Sequence, residues 1–160
     1  MFTRRVLSVA FVALALAGCA SIPAPVSVAD TIAKNPSLST LNGLLVQAGL
    51  SSSLQAGGPF TVFAPSNEAF KMVPAKTMDD LAKHPEKLKD VLTFHVIAEK
   101  LTAASVKNSS MKTLNGANVA LSKAGEFVTV EDAVVLSADI QANNGVVHII
   151  DSVLIPPHKK

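Results

Sequence analysis

The chain has no tryptophan, no tyrosine and only one cysteine in 160 residues. Its only arginines are Arg4 and Arg5, so the rest of the chain lacks the guanidinium group that binds carboxylates and phosphates through two parallel hydrogen bonds. Phenylalanine is the only aromatic residue left to form the stacking platform expected of a sugar-binding face. These absences argue against specialised recognition of phosphates or sugars.

The N-terminal segment has the features of a secretion signal. Arg4 and Arg5 form a positive region, residues 6–16 form a largely apolar run, and small residues lead to Cys19. The run is too short to span a bilayer, which takes about 20 apolar residues. The sequence therefore predicts that residues 1–18 are a signal peptide and that the protein is exported.

The residues that close this segment, Leu-Ala-Gly-Cys at 16–19, resemble the lipobox of bacterial lipoproteins. In that motif the thiol is diacylated, the preceding peptide bond is cleaved and the new amino terminus is acylated, which implies lipidation of Cys19. Because each buried CH₂ contributes about 0.8 kcal/mol, three acyl chains bind a protein to a bilayer almost permanently. The alternative is an ordinary secretory signal cleaved near Ala17 or Ala20, which leaves Cys19 as a free thiol.

Removal of the signal changes the charge balance. The remaining residues contain 12 lysines and 12 acidic residues, so their net charge is zero. Nucleic-acid binding needs a concentrated positive potential, and nucleic acid is therefore not expected as a partner. With Cys19 acylated no thiol remains, which excludes disulfides, thiolate metal sites and cysteine nucleophiles.

The rest of the chain has the length of one domain. Residues 19–27 are small and interrupted by prolines, so the lipidated cysteine and its neighbours are predicted to form a flexible tether. Residues 28–157 are predicted to form the domain, and residues 158–160 a short tail.

The first half of this domain has helical periodicity, with one extended run at residues 60–64. A leucine-rich helix is predicted to end at Gly49. Ser66 or Asn67 is placed to cap a turn after the extended run, and a further helix is predicted to begin at Pro85.

The second half changes to a period of two, which is typical of strands. Asn115-Gly116 and Asn144-Gly145 predict two-residue hairpins, because both turn positions then need a positive φ. A helical half followed by an antiparallel half is an α+β pattern. The predicted strands are residues 111–114, 119–122, 127–130, 134–137 and 146–150.

Three segments resemble the signatures of the fasciclin-type domain family, in the family's order. They are TVFAPSNEAF at 61–70, LKDVLTFHVI at 88–97 and the closing segment at 139–157. The resemblance implies an α+β fold in which a helical N-terminal half packs on a twisted antiparallel β-wedge. It also implies adhesion or extracellular interaction, with no catalytic activity and no cofactor.

The family's Tyr-His pair corresponds to Phe94 and His95, so the aromatic ring is kept and the hydroxyl is lost. His95 continues the apolar helix face of Leu88, Val91 and Leu92. This position favours a hydrogen-bonded core residue over a reactive group, and both Phe94 and His95 are predicted to be structural.

A candidate partner-binding surface also follows from the resemblance. In animal members the Tyr-His region and an Asp-Ile step have been linked to integrin binding, and that step corresponds to Asp139 and Ile140. Bacteria have no integrins, so the resemblance predicts only the position of a binding surface and not the partner. The polar residues 141–144, before an exposed Asn-Gly hairpin, support this position. The alternative is that Ile140 points inward and Asp139 only holds a turn.

Two sets of residues give only weak evidence for catalysis or for metal binding. Ser66, His95 and Asp139 offer a nucleophile, a base and an acid, but Ser66 lacks a Gly-x-Ser-x-Gly elbow and helix capping explains it better. The spacing of His148 and Asp151, in a strand and a turn, does not direct both at one metal ion. No catalytic, cofactor-binding or metal-binding residue is therefore predicted.

The sequence thus predicts an exported bacterial lipoprotein with one fasciclin-like domain and no catalytic activity. Ala20 and Ser21 lack the acidic residue that, by resemblance to enterobacterial sorting, retains lipoproteins at the inner membrane, so an outer-membrane position facing the periplasm or the exterior is expected. The expected partners are the lipid bilayer, through acylated Cys19, and a protein or extracellular-matrix component. The alternative function is binding of a small apolar or aromatic ligand between the helices and the β-wedge.

Overall fold

The computed structural model describes residues 26–156, in which a layer of short helices lies against one seven-stranded sheet. Cys19, the signal segment 1–18 and the tail 158–160 lie outside the described residues. None of the helices in the described part is long and apolar enough to cross a membrane. The helices are α1 Val28–Lys34, a 3₁₀ turn Pro36–Leu38, α2 Ser39–Gln47, α3 Ser51–Ala56, α4 Asn67–Met72, α5 Ala75–Lys83 and α6 Pro85–Phe94. The strands are β1 Phe60–Pro65, β2 Val96–Ile97, β3 Ser109–Lys112, β4 Asn118–Ala124, β5 Phe127–Val130, β6 Ala133–Ala142 and β7 Gly145–Ile150.

Local signals explain where several helices begin. The Ser27 side chain caps α1 by accepting a hydrogen bond from the Asp30 amide, and Ser66 caps α4 by accepting one from the Ala69 amide. Pro85 occupies the first turn of α6, where its missing N–H breaks no helical hydrogen bond. The predicted capping role of Ser66 and the predicted helix start at Pro85 are confirmed.

Other helices show the limits of periodicity. The helix predicted to end at Gly49 is α2, and Gly49 has a φ of +68° that glycine adopts without strain. Helices α1, α3 and α5 were not predicted, and α1 has only 7 residues, too few to show a clear apolar face. The sequence placed Ser27 in the tether, but the structure places it in the domain, since it is 6% exposed and the Val26 carbonyl accepts a hydrogen bond from Asn143.

The sheet has the strand order β2-β1-β7-β6-β5-β4-β3. Strands β1 and β7 pair in parallel, with Phe60 opposite Gly145, and the other neighbouring strands are antiparallel. The predicted α+β class is confirmed, but the sheet is mixed because β1 and β7 are distant in sequence and no hairpin sets their relative direction. Ile97, the last residue of β2, forms a β-bridge with Thr113, which follows β3. The two edge strands of the sheet therefore meet, and the sheet nearly closes into a barrel.

Alternating residues of β1 and β7 face two different cores. Val62 and Val147 belong to a core shared with the helices, which contribute buried leucines and Ile32. Phe63 and Ile150 face the second core, inside the curved sheet. Packed side chains therefore fill the core between the helices and the sheet, while two grooves remain open at its edge, one lined by Pro36 and Ile140 and the other by Leu136 and Ile149. The alternative ligand site between helices and β-wedge stays a prediction.

Neither Asn-Gly dipeptide forms the predicted two-residue turn. Asn115-Gly116 lies in a longer connection, residues 113–117, between β3 and β4. At the second site the turn residues are Asn143 and Asn144, because Ala142 pairs with Gly145, which already belongs to β7. A Cβ atom at Gly145 would overlap the carbonyl group of Phe60, so close pairing with β1 explains this glycine better than turn geometry does.

Candidate interaction surface and the buried histidines

His95 lies at the end of α6 with 2% of its surface exposed. Its Nδ1 is 2.7 Å from the Val91 carbonyl oxygen, and its Nε2 accepts a hydrogen bond of 2.9 Å from the Leu154 amide. These two partners fix the neutral tautomer that carries its proton on Nδ1. Burial lowers the pKa of His95 from 6.5 to about 4, although the hydrogen bond to Val91 acts in the opposite direction.

His148 is the second buried imidazole, with 1% of its surface exposed. It stacks on the Phe63 ring, with the ring centroids 5.5 Å apart. Its Nε2 donates to the Leu101 carbonyl at 2.8 Å, and its Nδ1 accepts from the Asp139 amide at 3.2 Å. Burial lowers the pKa of His148, while the Leu101 hydrogen bond and the Asp139 charge act to raise it.

Asp139 holds the loop that follows β2. It has a φ of +58°, and its Oδ1 accepts a hydrogen bond of 2.8 Å from the Ala103 amide. Thr61 supports the same loop, donating to the Glu99 carbonyl at 2.6 Å and accepting from the Leu101 amide at 2.8 Å. The carboxylate of Asp139 thus connects a bulge of β6 to this loop, as in the turn-holding alternative.

Ile140 does not form an exposed pair with Asp139. It is half-buried and packs against the core shared with the helices. Its remaining surface lines a groove with Val26 and Pro36, next to the point where the described chain begins. The side chain therefore points inward, in agreement with the alternative and not with an exposed apolar anchor.

The hairpin expected after residues 141–144 forms one residue earlier, and the Asn144 side chain is not free for a partner. The Asn144 side-chain amide donates to the carbonyls of Leu54 and Gly57 at 2.7 and 2.8 Å, and its Oδ1 accepts from the Val28 amide at 2.8 Å. These hydrogen bonds fasten the β6–β7 turn to the ends of α1 and α3. Sequence reasoning missed this role because the partners are distant along the chain.

Asp139→Ala should lower the free energy of unfolding by about 1–2 kcal/mol, because the Ala103 amide loses its acceptor and alanine strains the positive φ. Asp139→Asn is the matched control, since asparagine tolerates this φ and keeps an acceptor oxygen. Chemical denaturation of the two variants measures the difference. Equal stability of Asp139→Ala and the wild type would contradict the turn-holding role and leave Asp139 available for a partner.

The side chains considered for catalysis are already hydrogen-bonded within the fold. Ser66 caps α4, both ring nitrogens of His95 contact backbone groups, and Asp139 contacts Ala103. Asp151 accepts a hydrogen bond from the Val134 amide, while His148 faces Leu101. Within residues 26–156, no group of three or more His, Cys, Asp and Glu side chains is arranged to hold a metal ion.

The sequence matches the family model described as Fasciclin domain over residues 36–156. The chain belongs to the fasciclin domain family. Protein sll1483 of Synechocystis is 39% identical over 140 residues, which cover 86% of this chain and 78% of that protein. Cell surface glycolipoprotein MPB83 of Mycobacterium bovis is 35% identical over an alignment that covers 89% of this chain and 64% of that protein.

The fold of this fasciclin domain is also similar to a solved structure, a FAS1 domain pair from the insect cell adhesion molecule fasciclin I. The TM-score is 0.62 at 24% identity, and the match covers 75% of this chain and 46% of that chain. The predicted family and fold are thus confirmed. Fasciclin domains form a family of adhesion and interaction domains without enzymatic activity.

Proposed function

We propose that this protein is a lipid-anchored interaction module of the bacterial outer membrane. Acylated Cys19 holds it to the bilayer, and the fasciclin domain binds a protein or matrix partner without catalysis. The observation that carries the proposal is the coincidence of two features: the lipobox-like residues 16–19 and the 35% identity to a protein named a cell surface glycolipoprotein.

The start of the described domain supports a position close to the lipid. Val26 follows Cys19 by seven positions, and a fully extended chain of that length spans at most about 25 Å. Val26 contacts Asn143 in the β6–β7 turn. In the anchored protein the chain therefore enters the domain at this turn within about 25 Å of the lipid, and the opposite end of the domain is the one more accessible to a partner.

Crosslinking on intact cells tests the interaction. Cells with the anchored wild-type chain should yield a defined crosslinked partner, identified by mass spectrometry, that an unrelated outer-membrane lipoprotein of similar abundance does not capture. The Cys19→Ser chain is the matched control, because it has the same domain without the lipid. Identical capture by the unrelated lipoprotein would contradict the proposed interaction role.

A further inference from the structure

A cleft of about 410 Å³ opens at the end of the sheet where β6 begins, a size within the usual range of binding sites. Its floor is apolar. Phe94, at the end of α6, is 2% exposed, and Ala133 and Leu154 are buried beside it. Ile155 also lines the cleft and is 60% exposed, so it adds accessible apolar surface at the opening.

Two carboxylates of the β5–β6 turn lie at the same cleft. Glu131 has a φ of +53°, and its Oε1 accepts a hydrogen bond of 2.7 Å from the Ala120 amide, which holds the side chain in place. Asp132 follows it and is exposed. The residues that line the cleft include no lysine, so its rim is negative above an apolar floor.

We propose that this cleft binds a lysine side chain within an apolar segment of a partner protein. The alkyl stem of lysine packs on Ile155 above the buried Phe94, while its ammonium group lies among the carboxylates of Glu131 and Asp132. A phosphate or carboxylate ligand is repelled by the same rim. The cleft is larger than one side chain, which leaves room for an apolar neighbour of the lysine.

The position of the cleft favours a partner over the bilayer, a step that rests on the proposed function. Strand β6 has 10 residues, so its ends are separated by up to about 30 Å at roughly 3.3 Å per residue. Asp132 precedes one end of the strand, and Asn143, which contacts Val26, follows the other. If Cys19 is the anchor, the cleft therefore lies at the end of the domain far from the point where the tether attaches.

The test uses the full chain purified from membranes in non-ionic detergent and a fluorescent pentapeptide, Gly-Leu-Lys-Leu-Gly. A second peptide carries Nε-acetyl-lysine at the same position, which keeps the stem and removes the charge. Fluorescence anisotropy should show the lysine peptide binding at least about tenfold more tightly than the acetylated one at low salt, with the difference shrinking as salt is added.

Two pairs of variants locate the binding. The double variant E131Q/D132N should weaken binding of the lysine peptide by about tenfold, while E126Q, which removes a carboxylate from the neighbouring β4–β5 turn, should not change it. Ile155→Ser should also weaken binding. Leu136→Ser is its control, because Leu136 is equally exposed at 62% but does not line the cleft.

Equal binding of the two peptides, or unchanged binding by E131Q/D132N, would overturn the proposal. If the double variant does not fold, as judged by its thermal unfolding, the single variant Asp132→Asn replaces it with an expected loss of about threefold. Absence of binding by the wild-type chain would also overturn it. That result would not affect the conclusions on the membrane anchor and on the crosslinked partner, because membrane flotation and crosslinking on cells do not use the peptide.

Discussion

Replacing Cys19 by serine should move the protein out of the membrane fraction. The residues 16–19 resemble a lipobox, and serine supplies no thiol for the diacyl group. Wild-type protein should float with membranes in a density gradient and take up an alkyne-labelled fatty acid, whereas the processed Cys19→Ser chain should do neither. The effect should be nearly complete, because no helix in residues 26–156 could replace the anchor by crossing the bilayer.

Processing must be measured with localisation, because an uncleaved signal segment could itself hold the variant at the membrane. Mass spectrometry of the recovered chain identifies its first residue. Ala20→Ser is the matched control, since it changes the neighbouring residue and leaves the thiol, and it should float like the wild type. Wild-type membrane association of a correctly processed Cys19→Ser chain would mean that another feature anchors the protein, and the proposed localisation would be wrong.

His95→Ala should destabilise the fold by about 2–4 kcal/mol. The substitution leaves a cavity in the core and removes the acceptor of the buried Leu154 amide. His84→Ala is the matched control: its imidazole is 52% exposed, and its contact with Asp80 lies at the surface, so less than about 1 kcal/mol is expected. Thermal and chemical unfolding measure the loss of stability in both variants. An unchanged unfolding midpoint combined with lost partner capture would show that His95 belongs to a binding site.

Because of the same histidine, the free energy of unfolding should fall as the pH is lowered into the acid range. Its pKa is about 4 in the folded chain against 6.5 when unperturbed, so between these values the unfolded state binds a proton that the folded state does not. Its contribution is fully present above pH 6.5, and the free energy of unfolding falls by up to about 1.4 kcal/mol per pH unit as the pH is lowered towards 4. His148 acts in the same direction. His95→Ala should therefore show a shallower pH dependence than the wild type.

Features with local causes could be predicted from the sequence. Ser66 caps a helix and Pro85 begins one because both effects involve hydrogen bonds within one turn. The period of two at residues 146–150 also predicted a strand, which the structure has as β7, since successive residues of a strand face opposite sides. The family signatures extended this information to the whole domain, because they carry a known arrangement of these elements.

Predictions failed where a local pattern had more than one tertiary outcome. The Asn144-Gly145 dipeptide is a turn signal, but parallel pairing with β1 places Gly145 inside a strand and turns the Asn144 side chain towards α3. The orientation of Ile140 was equally open in the sequence, which left both an exposed and an inward-pointing side chain possible. An isoleucine after a bulge can face either side of a sheet, and only packing against the helices decides which.

The sequence by itself identified the fasciclin family and the helix and strand signals that lie within a few residues, and it predicts an export signal and lipidation of Cys19. Tertiary structure decided the mixed sheet, the partner of His95 at Leu154, 59 positions away, and the cleft shared by Phe94, Glu131 and Ile155. The physical reason is how far apart in the sequence the interacting residues lie. Caps, turns and periodicity depend on neighbouring residues, whereas strand direction, register and the sides of a cleft depend on how distant segments pack together.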